Sequence, residues 1–434
     1  MASKDVLGVE SRFGGNGGGA ALRAGMRRRR IVSTGSVAGA LALLFFGQAP
    51  AAIADDVPSK QWYLDAMRAE AMWKVSTGEG ITVAVVDSGV SETPSLEGRV
   101  HAGKDVTGMR GDALDDYNGH GTTMAELIAG SGKGGGLKGL APGVEVVAVR
   151  TSLKGANNNR ESDSAEAIRA AADSKAHIIS MSISSDVMYP DEEDAVKYAF
   201  SKGKLLFASV GNEAEKKNFI GYPAAYPSAV GISAADKSGK VGKFSEFGKF
   251  VDLAAPGLDI PQWCDATFRS YCDGGSGTSA ATALASASAA LIWSKHPDWT
   301  ANQVLRVLIE TAGRSWPKDE PSDYLGYGLV RPSWHLLKNR GNPGPPDLDP
   351  ITNKKTPGVG SAASGSSGSS KKEPSAPASQ PPKDAGDSKP AAVVSSARSE
   401  EDDGSPVWIV AGSVAAAAVI GGAAFALVRK RRNA

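Results

Sequence analysis

Ile81-Thr-Val-Ala-Val-Val-Asp87-Ser-Gly89 decides the fold class. Apolar and β-branched residues run unbroken into an aspartate and a turn. That is the pattern of a strand buried on both faces with a polar residue at its carboxyl end. Residues 144–149, 178–183 and 205–210 share this character, and 121–129, 163–172 and 195–202 between them read as helices. The alternation predicts an α/β fold, a doubly wound, mainly parallel sheet with helices on both faces. Sites in such sheets gather beyond the carboxyl ends of strands, and Asp87 and Asn212 each fall just past one. No internal repeat is visible.

Three further motifs follow: Asn118-Gly-His120-Gly-Thr122, Ser209-Val-Gly-Asn212-Glu213 and Ser276-Gly-Thr-Ser279-Ala280. Ser279 opens a run of small and apolar residues, 280–292, that reads as a buried helix. The amino end of a helix favours developing negative charge. A serine hydroxyl is a poor nucleophile until a base takes its proton. Of the histidines at 101, 120, 177, 296 and 335, only His120 is followed by Gly-Thr, and a helix starting at Gly121 would hold its ring at the sheet edge. Asp87 would accept the other ring N–H. Singly, each motif has a bland reading: Asp-Ser-Gly and Gly-Asn are ordinary turn sequences. The order Asp, His, Ser is one of the three known orders of the acyl-transfer triad.

With those motifs 33, 92 and 67 residues apart, residues 61–337 resemble the subtilisin-like serine proteases. Gly139-Leu-Ala-Pro142, Met181-Ser-Ile183, Gly221-Tyr-Pro-Ala-Ala-Tyr-Pro227 and Ala255-Pro-Gly257 add to the likeness. Within that family the layout and the opening Gln61-Trp-Tyr-Leu-Asp-Ala-Met-Arg-Ala-Glu-Ala-Met-Trp73 are most similar to the mycosins, the membrane-anchored proteases of type VII secretion in actinobacteria. The resemblance implies a serine endopeptidase acting on protein or peptide, with Asp87, His120 and Ser279 catalytic. It implies Asn212 and the Ser279 backbone N–H as oxyanion donors. Ser182, Ile183 and Ser184 would form one edge of the substrate cleft, Ala208, Ser209 and Val210 the other, with Gly221 near its base. It also allows a second role, a scaffold stabilising a secretion complex with catalysis secondary. Three positions depart from the family pattern: Ala283 for a proline, Glu126 for a glycine and Ser184 for a glycine. No cofactor or metal site is expected, and the calcium loops of secreted members are not recognisable.

The net charge of +1 favours neither nucleic acid nor an anionic membrane surface as a partner. The ends are more informative. Arg27 to Arg30, the apolar residues 31–46 and Ala52-Ile-Ala54 have the layout of a secretory signal, so residues 1–54 are expected to be a signal peptide. An uncleaved anchor is the alternative. Met26 stands just before the arginines, so residues 1–25 are either a long n-region or precede the true start. Residues 55–80 are expected to wrap the catalytic domain, 81–340, being too short for a chaperone-like propeptide. Residues 341–405, rich in Pro, Gly, Ser and Lys, read as a flexible linker. Residues 407–428 are uncharged and would rise about 33 Å as a transmembrane helix. The basic tail 429–434 follows, which puts the tail in the cytoplasm and the catalytic domain outside the cell membrane. Cys264 and Cys272, an even count in an exported chain, favour a disulfide over two free thiols. Their bond would hold the segment ahead of Ser279.

Overall fold

The computed structural model describes residues 57–153 and 163–356. Three short helices open it: α1 (Val57–Lys60), α2 (Trp62–Ala66) and α3 (Ala69–Trp73). Then come β1 (Thr82–Asp87), β2 (Val100–Asp105), α4 (His120–Ala129), β3 (Glu145–Arg150), α5 (Asp163–Asp173), β4 (Ile178–Met181), α6 (Pro190–Ser201) and β5 (Leu205–Ser209). After them lie β6 (Ala229–Ala235), β7 (Leu253–Pro256), the hairpin β8 (Ile260–Trp263) and β9 (Tyr271–Gly275), α7 (Thr278–Lys295), α8 (Ala301–Thr311) and α9 (Pro332–Lys338). The expected signal peptide, most of the linker, the transmembrane helix and the basic tail lie outside the described residues. No helix among the described residues is long and apolar enough to cross a membrane.

Seven strands form one sheet in the order β2-β3-β1-β4-β5-β6-β7, every pair parallel. The chain leaves β1 for one edge, returns, and crosses to the other side at β4. The carboxyl ends of β1 and β4 therefore flank the switch point where such sheets bind ligands. Successive side chains of a strand point to opposite faces, which divides β1 between two cores. Val83 and Val85 join the core that includes residues of α4, α7 and α8, whereas Ala84 and Val86 join the one under α5 and α6. Each fully buried valine contributes roughly 1.5–3 kcal/mol. All but the last two residues of α7 are buried, most of them alanine, serine or threonine, so this helix lies close against the sheet. Ala283, inside it, keeps a backbone N–H that proline would lack.

The ends of the unit are tied to its body. The Trp62 and Trp73 indoles donate to the Leu258 and Leu140 carbonyls at 3.0 and 2.8 Å, and Ser76 Oγ donates to Leu291 O at 2.7 Å. Residues 341–356, expected to begin the linker, pack against α8 instead. Thr300 Oγ1 and Asn302 Nδ2 donate to Pro346 O at 2.8 and 3.0 Å, Arg306 Nη2 donates to Leu348 O at 2.8 Å, and Thr356 is buried against Asn302. The linker composition begins before the folded unit ends, because side chains of α8 satisfy backbone carbonyls that have no strand or helix of their own. Helix α6 starts five residues earlier than its apolar pattern predicts. Pro190 occupies its first turn with Asp191, Glu192 and Glu193, a polar start that favours the positive end of a helix dipole.

Candidate active site

Asp87 ends β1 and is fully buried. Its Oδ1 accepts from Ser88 N at 2.7 Å and from His120 Nδ1 at 2.7 Å, while Oδ2 has no hydrogen-bond partner among the described residues. A carboxylate can only accept, so Nδ1 carries the proton and Nε2 is left as the basic nitrogen of the neutral ring. His120 is the first residue of α4. Gly121 after it has no side chain for a structural reason: a Cβ there would lie 2.1 Å from Gly89 O and 3.0 Å from Asp87 Cβ. Only glycine lets the histidine helix come this close to β1.

Two charged residues that the motif reading did not single out build this side. Asp116 is buried and accepts five hydrogen bonds, from Ser88 Oγ (2.8 Å), Asn118 N (2.9 Å), Gly119 N (2.8 Å), Thr122 N (2.9 Å) and Thr122 Oγ1 (2.7 Å). With Ser88 Oγ accepting from Gly121 N at 3.0 Å, it satisfies donors that a helix start leaves open. An aspartate shortly before a Gly-His helix start was the available signal. Arg150 sits beside Asp87 in the β1–β3 register and is 1% exposed. Its guanidinium donates to Asp105 Oδ2 at 2.6 Å and to the carbonyls of Met109, Arg110 and Asp115 at 3.2, 3.1 and 2.9 Å. It braces the loop that leads to His120. Burial acts to raise the Asp105 carboxyl, but hydrogen bonds from Arg150 and Thr107 outweigh it and hold it below the usual range. Burial likewise acts to lower the His120 ring. The Asp87 charge and hydrogen bond, aided by Asp116, outweigh that and raise it above the ordinary histidine value.

Ser279 is the second residue of α7, and its Oγ donates to Ser182 O at 3.2 Å rather than to the His120 ring. Contacts of this kind are often unformed without substrate. Asn212 follows β5 and is exposed. Its Oδ1 accepts from Thr278 N at 2.9 Å and Thr278 Oγ1 at 3.0 Å. A backbone N–H can only donate, so the amide is oriented with Nδ2 as the free donor. The expected cleft residues converge at the ends of β4 and β5. Met181 pairs with Ala208, and Ser184 Oγ donates to Val210 O at 3.2 Å. Ser185 pairs with Tyr222, and Gly221 lies against the Val210 carbonyl, too close for a side chain. Ser182 and Ser209 are buried, whereas Ile183 and Ser184 are half-buried.

Cys264, just after β8, is bonded to Cys272 in β9. The hairpin's polar ties run to the histidine helix: Trp263 N donates to Thr123 Oγ1 at 3.1 Å and Tyr271 OH to Glu126 Oε2 at 2.7 Å. The bond therefore braces α4 as well as the segment before Ser279. Glu126 is fully buried and also accepts from Thr93 Oγ1 at 2.6 Å. Burial pushes its carboxyl up to about 7 against the lowering effect of those bonds. Among the described residues no group of three or more His, Cys, Asp or Glu is placed to hold a metal ion.

A model of the subtilase family matches residues 78–328. The thermophilic serine proteinase of Bacillus sp. (strain AK1) is 36% identical over 226 residues, 51% of this chain and 55% of that protein, so the match spans about half of the relative's length. The crystal structure of MycP1 from Mycobacterium smegmatis is 25% identical with a TM-score of 0.57, covering 66% of this chain and 86% of that one. The structure of the MycP3 protease from the type VII (ESX-3) secretion system is 28% identical with a TM-score of 0.53, covering 63% and 87%.

Proposed function

Since the chain belongs to the subtilase family, we propose that it is a serine endopeptidase in which Asp87, His120 and Ser279 form the catalytic triad. The observation that carries this reading is the 2.7 Å contact from His120 Nδ1 to the fully buried Asp87, which leaves Nε2 as the basic nitrogen. Ser279 Oγ turns from Ser182 O toward Nε2 and gives up its proton as it attacks the scissile carbonyl. Asp87 holds the ring in the needed tautomer and stabilises the imidazolium. The negative oxygen meets Asn212 Nδ2 and the Ser279 N–H at the amino end of α7. His120 then protonates the leaving amine, and water repeats the sequence on the acyl-enzyme. The substrate backbone lies as an added strand between the segments at 182–184 and 208–210.

We place the catalytic domain outside the cell membrane, tethered by residues 407–428 and associated with a type VII secretion complex. The signal-like and basic-flanked ends of the sequence support the placement. The likeness to MycP1 and MycP3, the latter from a type VII system, supports the association. Purified full-length protein should react with a fluorophosphonate and cut peptide substrates, and Ser279→Ala should abolish both. The expected loss in turnover is on the order of 10⁶, the magnitude that removing the nucleophile has in subtilisin. Labelling that persists in Ser279→Ala would place the nucleophile elsewhere. An unlabelled wild type would favour the scaffold role.

A further inference from the structure

Glu246 is a buried acid that the triad does not use. It lies between β6 and β7, is fully inaccessible to solvent, and faces the loop that carries Asn212. Its backbone N–H donates to Gly211 O at 3.2 Å, and its Oε1 accepts from Glu213 N at 2.8 Å. One residue thus grips Asn212 from both sides. Its Oε2 is buried with no hydrogen-bond partner, and a Cβ built on Gly211 would stand 2.6 Å from it. Gly211 has φ +115°, and its N–H reaches Thr278 Oγ1 at 3.3 Å, the hydroxyl that contacts Asn212 Oδ1. A buried polar oxygen left unpaired calls for a reason, and such groups concentrate at functional sites.

Resting on the active-site reading above, we propose that Glu246 is a positioning residue for the oxyanion donor Asn212. It holds residues 211–213 in the conformation that presents Nδ2. Asn212 itself is exposed on a loop, and a donor misplaced by about 1 Å can cost on the order of 10²-fold in rate. Thr278 fixes the orientation of the amide and Glu246 fixes the backbone beneath it. Burial pushes the Glu246 carboxyl up to about 7; the Glu213 N–H works to lower it, and the Glu213 charge adds to the rise. Among the described residues the charge that acts on it is that of Glu213, itself paired with Lys216 at 2.7 Å. Glu246 consequently changes charge near neutral pH, and kcat carries that ionisation beside that of His120.

The test is a mutant cycle on the full-length protein, with Glu246→Ala and Glu246→Gln made in wild-type and Asn212→Gly backgrounds. Peptide kcat and KM are measured with amide hydrogen exchange over 211–213. Glu246→Ala should lower kcat by about 10–100-fold with little change in KM. It should change kcat by less than about twofold once Asn212 is gone, because a residue acting through another is silent without it. Exchange over 211–213 should accelerate. Glu246→Gln, which can still accept the Glu213 N–H, should recover most of kcat and remove one ionisation from its pH profile. Equal kcat losses in both backgrounds, or unchanged exchange, would overturn the proposal. If Glu246→Ala does not fold, Glu246→Asp, one methylene too short to reach the Glu213 N–H, decides it: full kcat with unaltered exchange over 211–213 sinks the idea. A wild type without activity would refute the triad reading, while the exchange measurement still judges the clamp.

Discussion

On the histidine side of the cleft, Asp87, His120, Ser88, Asp116 and Arg150 are held almost entirely by hydrogen bonds and charge. Asp116 alone accepts five hydrogen bonds. On the serine side, Ser279 sits on an eighteen-residue helix that is buried nearly throughout and held to the sheet by packing of small side chains. The contrast has a physical cause. Charged groups taken out of water need partners to replace it, whereas a hydroxyl needs only a fixed backbone and an accessible face. Rigidity of the first kind is local and polar. Rigidity of the second kind belongs to the whole core.

Asp116→Ala should break the histidine side most severely. Gly119 N, Thr122 N and the Thr122 hydroxyl lose their acceptor, each unpaired buried donor costing about 1–3 kcal/mol. The displaced helix start should lower kcat/KM by about 10–100-fold in the protein that still folds. Full specific activity in the folded variant would show that His120 is held some other way.

Leu284→Ala strikes the serine side at a fully buried position of α7. It should cost about 2–5 kcal/mol in stability by denaturant unfolding, with the specific activity of the folded fraction unchanged. A large rate loss without destabilisation would erase the distinction between the two sides.

A subtler probe is pH. The His120 pKa is raised, so the imidazolium persists to higher pH than in an ordinary histidine and the free base appears only above that pKa. Rate should therefore be lost as pH falls through an inflection above the ordinary histidine value, measured as kcat/KM. Any stability from the imidazolium runs the opposite way, being lost as pH rises through the same point. Asp116→Asn removes one cause of the rise and should move the inflection downward. An inflection that does not move would separate Asp116 from the electrostatics of the ring.

The smallest effect is expected at the hairpin. Replacing Cys264 and Cys272 together by serine opens a short loop worth only about 2–3 kcal/mol in the chain-entropy picture. Through Trp263 N–Thr123 and Tyr271–Glu126 the loss should reach α4, lowering activity more than the melting temperature. A variant that melts far earlier yet keeps full specific activity would make the bond a global staple.

Strands β1, β3, β4 and β5 were legible because buried parallel strands are continuous apolar runs. Strand β2, Val-His-Ala-Gly-Lys-Asp, was not, since it is an edge strand with four exposed residues. Strand β6, Ala-Val-Gly-Ile-Ser-Ala-Ala, has weak intrinsic strand preference, and its neighbours on both sides impose the conformation. Arg150 and Glu246 were invisible for a related reason. In sequence they are ordinary charged residues, and only burial against particular donors and acceptors gives them a task.

The sequence by itself determined the α/β class and the order of the Asp87, His120, Asn212 and Ser279 motifs, because strand periodicity and short glycine-flanked motifs are local patterns. The tertiary structure alone decided that Asp87 reaches His120 within 2.7 Å, that Arg150 braces the loop before it and that Glu246 lies beneath Asn212. Those are contacts between segments 33 to 45 residues apart, made when neighbouring strands and the loops at their carboxyl ends come together. No local preference encodes which buried acceptor will face which donor; that is settled only when the strands are in register and water has been excluded between them.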